Sequence, residues 1–298
     1  MAKRKTADAY VTELQQENKK LHLMAYIMIA LLVLVLAATF TKKFTLVTVL
    51  LLIAILYQIF ILRKAQKRYL RKCEDVNLEL TVMPQISADH IEEKGTSLDK
   101  TEVLAAGLIP SVDKTISVFK TISGTKDKMQ VVSGDISLVE HKAESGVAAE
   151  VNTGNWIHVK LPKSTGYNFR ISEDQLFPES LRAGFYDGQK LIETAGPDHF
   201  PDTLHIYTTS GDTAHASNAG DTAKLPSTAF FRKVQTLNEY TPGKLGISVR
   251  GDVMDVYIRN RFLGSPFSVR DQVDRNRLLA NPYPELGHVL ELAEFLLG

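Results

Sequence analysis

The chain has 298 residues, with 35 Lys/Arg against 34 Asp/Glu, a formal net charge of +1 and one cysteine. A single cysteine excludes an internal disulfide framework and a zinc cluster built on Cys. The charge is uneven: residues 1–72 hold 13 Lys/Arg and 3 Asp/Glu, and residues 73–298 hold 22 and 31, so the larger part is acidic, which argues against a role on nucleic acid.

In chain order, residues 1–22 read as a cytosolic amphipathic helix, with Tyr10, Leu14 and Leu21 spaced among polar residues. Residues 23–40 and 44–62 follow, two uncharged apolar runs of 18 and 19 residues. At about 1.5 Å rise per residue each covers roughly the 30 Å hydrocarbon core of a bilayer, so 23–62 is expected to be a transmembrane helical hairpin. The first run lacks a small-residue cleavage site and is read as retained rather than as a signal peptide. Lys3, Arg4, Lys5, Lys19 and Lys20 precede the hairpin, and Arg63, Lys64, Lys67, Arg68, Arg71 and Lys72 follow it, against only Lys42 and Lys43 in the turn. The positive-inside rule then places both termini in the cytoplasm of a cell bounded by an inner (plasma) membrane, with the chain multi-pass. The six basic residues from Arg63 to Lys72 are also candidates for contact with anionic lipid headgroups. Gln58 is the lone amide within the second run and reads as interhelical glue. Cys73, just beyond, is a candidate for acylation.

Residues 63–110 are expected to form a juxtamembrane helical stem, and residues 111–298 a cytosolic α+β domain. "KGTSLDKTEVLAAGLIP" suggests a helix capped by Ser97 or Thr96 and ended by Pro110. Strand texture follows. "KMQVVSGDISLVEHKA" alternates around a Ser-Gly turn signal. "AAEVNTGNWIHVKLP" reads as strand, Thr-Gly-Asn turn and strand, with Trp156, His158 and Lys160 on one face and Ile157, Val159 and Leu161 on the other. "YNFRISEDQLFP" and "DTLHIYTTSGD" add strands, and Asp-Gly in "AGFYDGQKLIETAGPD" signals a hairpin. "HASNAGDTAKLP" reads as a mobile loop. Ser227 is a candidate cap for a helix with Phe230, Phe231, Val234 and Leu237 on one side. "GKLGISVRGDVMDVYIRN" is a hairpin turning at Arg-Gly-Asp, and the C-terminal stretch carries Leu286, Val289, Leu290, Leu292 and Leu296 at helical spacing. The fold class is therefore α+β: an N-terminal two-helix transmembrane hairpin followed by a cytosolic β-rich domain with flanking helices.

This order of parts, with "VVSGDISLVEHKAE", "GNWIHVKLPKSTGYNFRIS" and "FFRKVQTLNEYTPGKLGISVRGDVMDVYIRN", resembles a family of bacterial two-span membrane proteins known as domain of unknown function three-one-three-seven. The resemblance implies two adjacent spans and a cytosolic domain, and it supplies no catalytic residues.

No phosphate-binding P-loop, Gly-x-Ser-x-Gly or His-Glu-x-x-His motif occurs. The densest polar constellation lies in "PDHFPDTLHIYTTSGDTAH": Asp198, His199, Asp202, His205, Asp212 and His215. Asp198, His199, Asp202, His205 and His215 are the catalytic candidates for a membrane-tethered hydrolase, although the spacing fits no known metal cage. Glu173, Asp174 and Glu179 are paired carboxylates of the kind a hydrolase uses, or a solvated turn. Arg259 and Arg261 read as protection of a sheet edge or an anion contact. No metal or cofactor is expected. The function expected first is a non-enzymatic, membrane-anchored binding or assembly module. Its partners would be the lipid bilayer and either a protein or a second copy of the chain.

Overall fold

The computed structural model describes residues 5–41, 44–93, 95–109, 114–141, 148–174, 176, 191–194, 196–198, 200–209, 225–241, 244–263, 267–270 and 273–298. It divides into two compact units, Met1–Thr81 with Gly264–Pro282, and Val82–Leu263 with Tyr283–Gly298.

In the first unit, α1 (Ala7–Phe40) runs without a break from the amphipathic segment through the first apolar run; Thr6 caps it by accepting from the Ala9 amide. After the turn, α2 (Phe44–Leu56) leads through π-helical turns at Tyr57–Leu62 into α3 (Arg63–Thr81). Both helices are long and apolar enough to cross a membrane, and little of either apolar stretch is covered by protein. Leu36 is 62% exposed and Phe44 83%. The exceptions mark the helix–helix seam: Ala38 and Ala54 are buried, and the Tyr57 hydroxyl donates to the Met24 carbonyl at 3.2 Å. Small residues at such a seam let the backbones approach. The wider π turns re-phase the second helix, so that Ala54 and Leu62 fall on the same buried side as Tyr69, Cys73 and Val76.

Outside the apolar runs the same two helices pair through side chains. Leu14 and Leu21 of α1 pack with Tyr69, Cys73 and Val76 of α3, and with Phe267, Val273 and Leu278. Lys72 donates to Glu13 (2.7 Å) and Glu17 (2.5 Å), and the Tyr10 hydroxyl donates to the Glu79 carboxylate. The Lys72 ammonium, first, and Lys5 hold the Glu13 carboxyl down at about 2. Buried Asn77 donates to the carbonyls of Leu278 and Ala280.

In the second unit, β1 (Ile91–Glu92) and α4 (Lys100–Ala105) precede the long strands β2 (Lys114–Lys126), β3 (Met129–His141) and β4 (Ala148–Lys160). Then come β5 (Asn168–Glu173), β6 (Leu191–Thr194), β7 (Leu204–Thr209), α5 (Thr228–Tyr240), β8 (Leu245–Arg250) and β9 (Val253–Arg259). A short helix of the first unit, α6 (Arg275–Leu279), comes before the closing α7 (Glu285–Leu297). The described strands form one antiparallel sheet in the order β1-β2-β3-β4-β9-β8-β5-β7-β6, so the β8–β9 hairpin is wedged between β4 and β5.

The alternation of β4 holds. Trp156 and His158 share one face, and Ile157 and Val159 take the other with Val256, Met254, Ile247, Val249, Ile171 and Phe169. That second face is apolar and helix-covered. Phe230 and Phe231 of α5 stack edgewise and tilted on Phe169, and α7 packs on α5 and β4. Where β3 and β4 bring Ser133, Asp135 and Asn155 to this face, Tyr283 completes a buried network. Its hydroxyl donates to Asn155 Oδ1 (2.5 Å), whose amide in turn donates to Asp135 (2.9 Å). Arg261 and Glu285 close it with a two-point ion pair.

Several sequence expectations change. Ser133-Gly134 and Thr153-Gly154-Asn155 are not turns, because both lie inside 13-residue strands. Their glycines serve close packing: a Cβ at Gly154 would sit 2.4 Å from the Ile258 carbonyl oxygen, and one at Gly134 would sit 2.5 Å from the Thr121 methyl. The cap of α4 is Asp99, accepting from the Thr101 amide at 2.8 Å. Ser97 and Thr96 bind the Glu92 carboxylate instead, and the Ser97 hydroxyl foremost holds that group at about 2. Arg259 and Arg261 do not guard an edge, since β9 is interior to the sheet. Pro110, the Asp-Gly at 187–188 and residues 215–224 of "HASNAGDTAKLP" lie outside the described residues.

Candidate functional site

Residues paired across neighbouring strands point to the same face. The registers Tyr207↔Arg170, Arg170↔Ser248, Ser248↔Asp255 and Asp255↔His158 therefore lay one polar row across β7, β5, β8, β9 and β4. Arg250, two residues along β8 from Ser248, faces the same side. Next to the row, the same face is apolar: Trp156, Tyr257, Ile136 and Leu138 pack under Leu98, Val103, Leu108 and Leu176.

Asp255 is the centre of the row and is 0% exposed. A buried carboxylate persists only when its oxygens are satisfied. Here Oδ1 accepts from Trp156 Nε1 at 3.1 Å and lies 2.8 Å from His158 Nδ1, and Oδ2 accepts from Arg250 at 2.8 Å. His158 Nε2 is 3.5 Å from Glu102 of α4. Burial pulls the His158 pKa down, but its hydrogen bond to Asp255 and the charges of Asp255 and Glu102 outweigh this and leave it raised.

Arg170 is the second cation of the row and is 9% exposed. Its guanidinium lies flush on Gly107, at the end of α4, where a Cβ would stand 2.3 Å from the guanidinium carbon. Gly107 has φ +63, so glycine is required here for its backbone conformation as well as for space. Burial, and then the Arg250 charge, lower the Arg170 pKa to about 10. Between Arg170 and Asp255, the Ser248 hydroxyl is buried without a hydrogen-bond partner, as is Arg250 Nε.

The hydrolase candidates are not gathered in this way. Asp198 and Asp202 are exposed, and His205 sits on β7 with Nε2 2.7 Å from Asp174 Oδ1. His199, Asp212, His215 and Glu179 lie outside the described residues. Among the described residues no group of three or more His, Cys, Asp or Glu is placed to hold a metal. Of the basic candidates, Arg63, Lys64, Lys67, Arg68 and Arg71 are exposed, whereas Lys72 is engaged by Glu13 and Glu17. Cys73 is fully buried, and burial raises its thiol to about 11, which leaves it inert rather than open to acylation.

Sequence reasoning placed Trp156 and His158 together but missed Arg170, Ser248, Arg250 and Asp255. The available signal was the run of polar residues at alternate positions in "NFRIS", "GISVRGDVMDV" and "WIHVK", three segments whose other alternate positions are apolar.

No family model matches the chain, and no curated protein matches it in sequence. Among solved structures it is similar to the crystal structure of the mycobacterial trehalose monomycolate transport factor A, TtfA. That match has 10% sequence identity and a TM-score of 0.35, and it covers 76% of this chain and 95% of that one.

Proposed function

We propose that the chain is a membrane-anchored binding or assembly module, held in the bilayer by its helical hairpin with both termini in the cytoplasm, and that the sheet unit is a non-enzymatic recognition domain. The observation that carries this reading is the exposure of the two apolar helices. Among the described residues from 23 to 61, most of the large aliphatic and aromatic side chains are exposed, and the half-buried ones include Met24, Met28, Leu31, Val35 and Tyr57. In water such a surface is far larger than a soluble monomer exposes, and in a bilayer it is solvated. The exposed basic residues at 63–71 and at Lys19 and Lys20 border the hairpin ends where headgroup phosphates lie, which favours the cytoplasmic orientation and headgroup contact.

The test has two parts. Alkaline carbonate should leave the chain in the membrane pellet, with a reporter fused after Gly298 active only in the cytoplasm. Crosslinking in native membranes should recover a specific protein or a homo-oligomer. Release into the supernatant, or a monomer with no interactor, contradicts the reading.

A further inference from the structure

We propose that Arg63, Lys64, Lys67 and Arg68 form a binding face for an anionic phospholipid, holding its headgroup phosphate while its acyl chains lie along the exposed apolar side chains of the preceding turns. The proposal rests on the membrane-anchored reading and deepens it by naming the lipid and the residues that select it.

Three observations carry it. The first is placement. On α3 the four cations fall at i, i+1, i+4 and i+5, two adjacent columns on one side of the helix, and all four are exposed. Tyr69, Cys73 and Val76 are buried, packed with Leu14 and Leu21 of α1. That packing fixes the stem, so the columns are in position before a lipid arrives. The two helices are tied at Tyr57 to Met24 and at Lys72 to Glu13 and Glu17, so Lys19 and Lys20, also exposed, stand at the same depth.

The second is charge. No Asp or Glu occurs between Glu17 and Glu74. Of the acids that flank this interval, Glu13 and Glu17 take Lys72, Glu79 accepts from the Tyr10 hydroxyl, and Glu74 and Asp75 come after Arg71 and Lys72 along the helix. Arg71 has interactions of its own and is left out of the face. Among the described residues, none of Arg63, Lys64, Lys67 and Arg68 is ion-paired. A topology signal asks only for basic residues near a span; it does not ask for them unpaired and on one side of a helix.

The third is continuity with the apolar surface. Lys64 Nζ lies 5.4 Å from the centroid of the Phe60 ring, so the cations meet the apolar run directly. Phe60 is exposed, and so are Leu56, Ile59 and Ile61. A free phosphate or an acidic peptide would engage the cations and leave these side chains bare. A phospholipid carries an anion and an apolar tail in one molecule and covers both.

In the test, the full chain is purified in a non-ionic detergent and reconstituted into phosphatidylcholine vesicles. Trace spin-labelled phosphatidylglycerol or spin-labelled phosphatidylcholine is added, and the motionally restricted fraction is read by electron spin resonance. Phosphatidylglycerol should associate at least about 5-fold more strongly at about 0.1 M sodium chloride, and the preference should shrink at about 1 M. The double variants Arg63→Gln/Lys67→Gln and Lys64→Gln/Arg68→Gln should each cut the preference by about 2-fold or more. Lys5→Gln/Arg275→Gln removes two exposed cations outside the face and should leave it unchanged. Sodium dimethyl phosphate, at matched ionic strength, should not displace the labelled lipid. A reporter after Gly298 checks that each variant keeps the wild-type orientation; where a double variant is inverted, its two single variants take its place.

Equal association of the two lipids, a preference unchanged in the variants of the face, an equal fall in Lys5→Gln/Arg275→Gln, or displacement by dimethyl phosphate would overturn the proposal. Any of those results in a chain that alkaline carbonate leaves in the pellet removes the lipid site and leaves the anchor standing. Release by carbonate removes the anchor, and the site with it.

Discussion

His158 is held between two carboxylates, Asp255 at its Nδ1 and Glu102 at its Nε2, with Arg250 across Asp255 as the opposing cation. Its folded pKa is raised above the ordinary histidine value of 6.5. The sign of the linkage follows. The stability supplied by protonated His158 is complete below 6.5, where the unfolded chain also carries the proton, and it is lost as pH rises through the higher folded value. Thermal melts of the purified chain, followed by Trp156 emission, should therefore show a loss of stability that begins above 6.5. The loss should be absent in His158→Gln, and NMR titration of His158 should find its midpoint above 6.5. A midpoint at or below 6.5 contradicts the geometry. Glu92 acts in the opposite sense at the acid end: its carboxyl is held at about 2, so its contribution is present above 4.5 and fades only in strong acid.

Among the elements, the β2–β3 hairpin shows most clearly what pattern reading misses. Its two-residue turn is Asp127-Lys128, with φ +50 and +68, and neither residue is glycine. Such primed turns need left-handed backbone at both central positions, and a lysine there costs about 1–2 kcal/mol. Lys128→Gly should stabilise the chain by about 0.5–1 kcal/mol, the strain relieved less the extra freedom of glycine when unfolded, read from the denaturation midpoint. Unchanged or lower stability counts against this account of the turn. The same hairpin explains how much was legible. Helices with one apolar stripe, α5 and α7, and the Arg-Gly-Asp hairpin could be read from spacing alone, and so could the alternation of β4. β2 could not, because its turn lacks glycine and a bulge between Val118 and Thr121 breaks its alternation. Gly134 and Gly154 misled in the other direction: local sequence does not distinguish a glycine that ends a strand from one that lets a neighbouring strand come close. The polar row was hidden for a further reason. Its members come from "HVK" and "FRIS", and from "SVRGDVMD" more than 70 residues further along the chain, and only pairing across strands makes them neighbours.

For the molecule as a whole, the decisive feature is strand order. β4 and β5 are joined by a short connection, yet they do not pair; both wait for the β8–β9 hairpin. A chain stopped at residue 244 should therefore lack a continuous sheet, with the row divided between two fragments. Its Trp156, with neither Asp255 nor Tyr257 beside it, should emit like indole in water and the chain should be cut quickly by protease. Native-like emission and protease resistance in that truncation would contradict the wedge as the closing element.

The wedge also sets an order of events on the ribosome. The apolar hairpin emerges first and can enter the bilayer at once, whereas the first half of the sheet, ending with β4 at Lys160, must wait with its edge open for about 85 residues until β8 begins at Leu245. On the membrane-anchored reading proposed above, the nascent chain is tethered before it is folded during that interval, and the tether limits how far its open edges can travel to meet those of another copy.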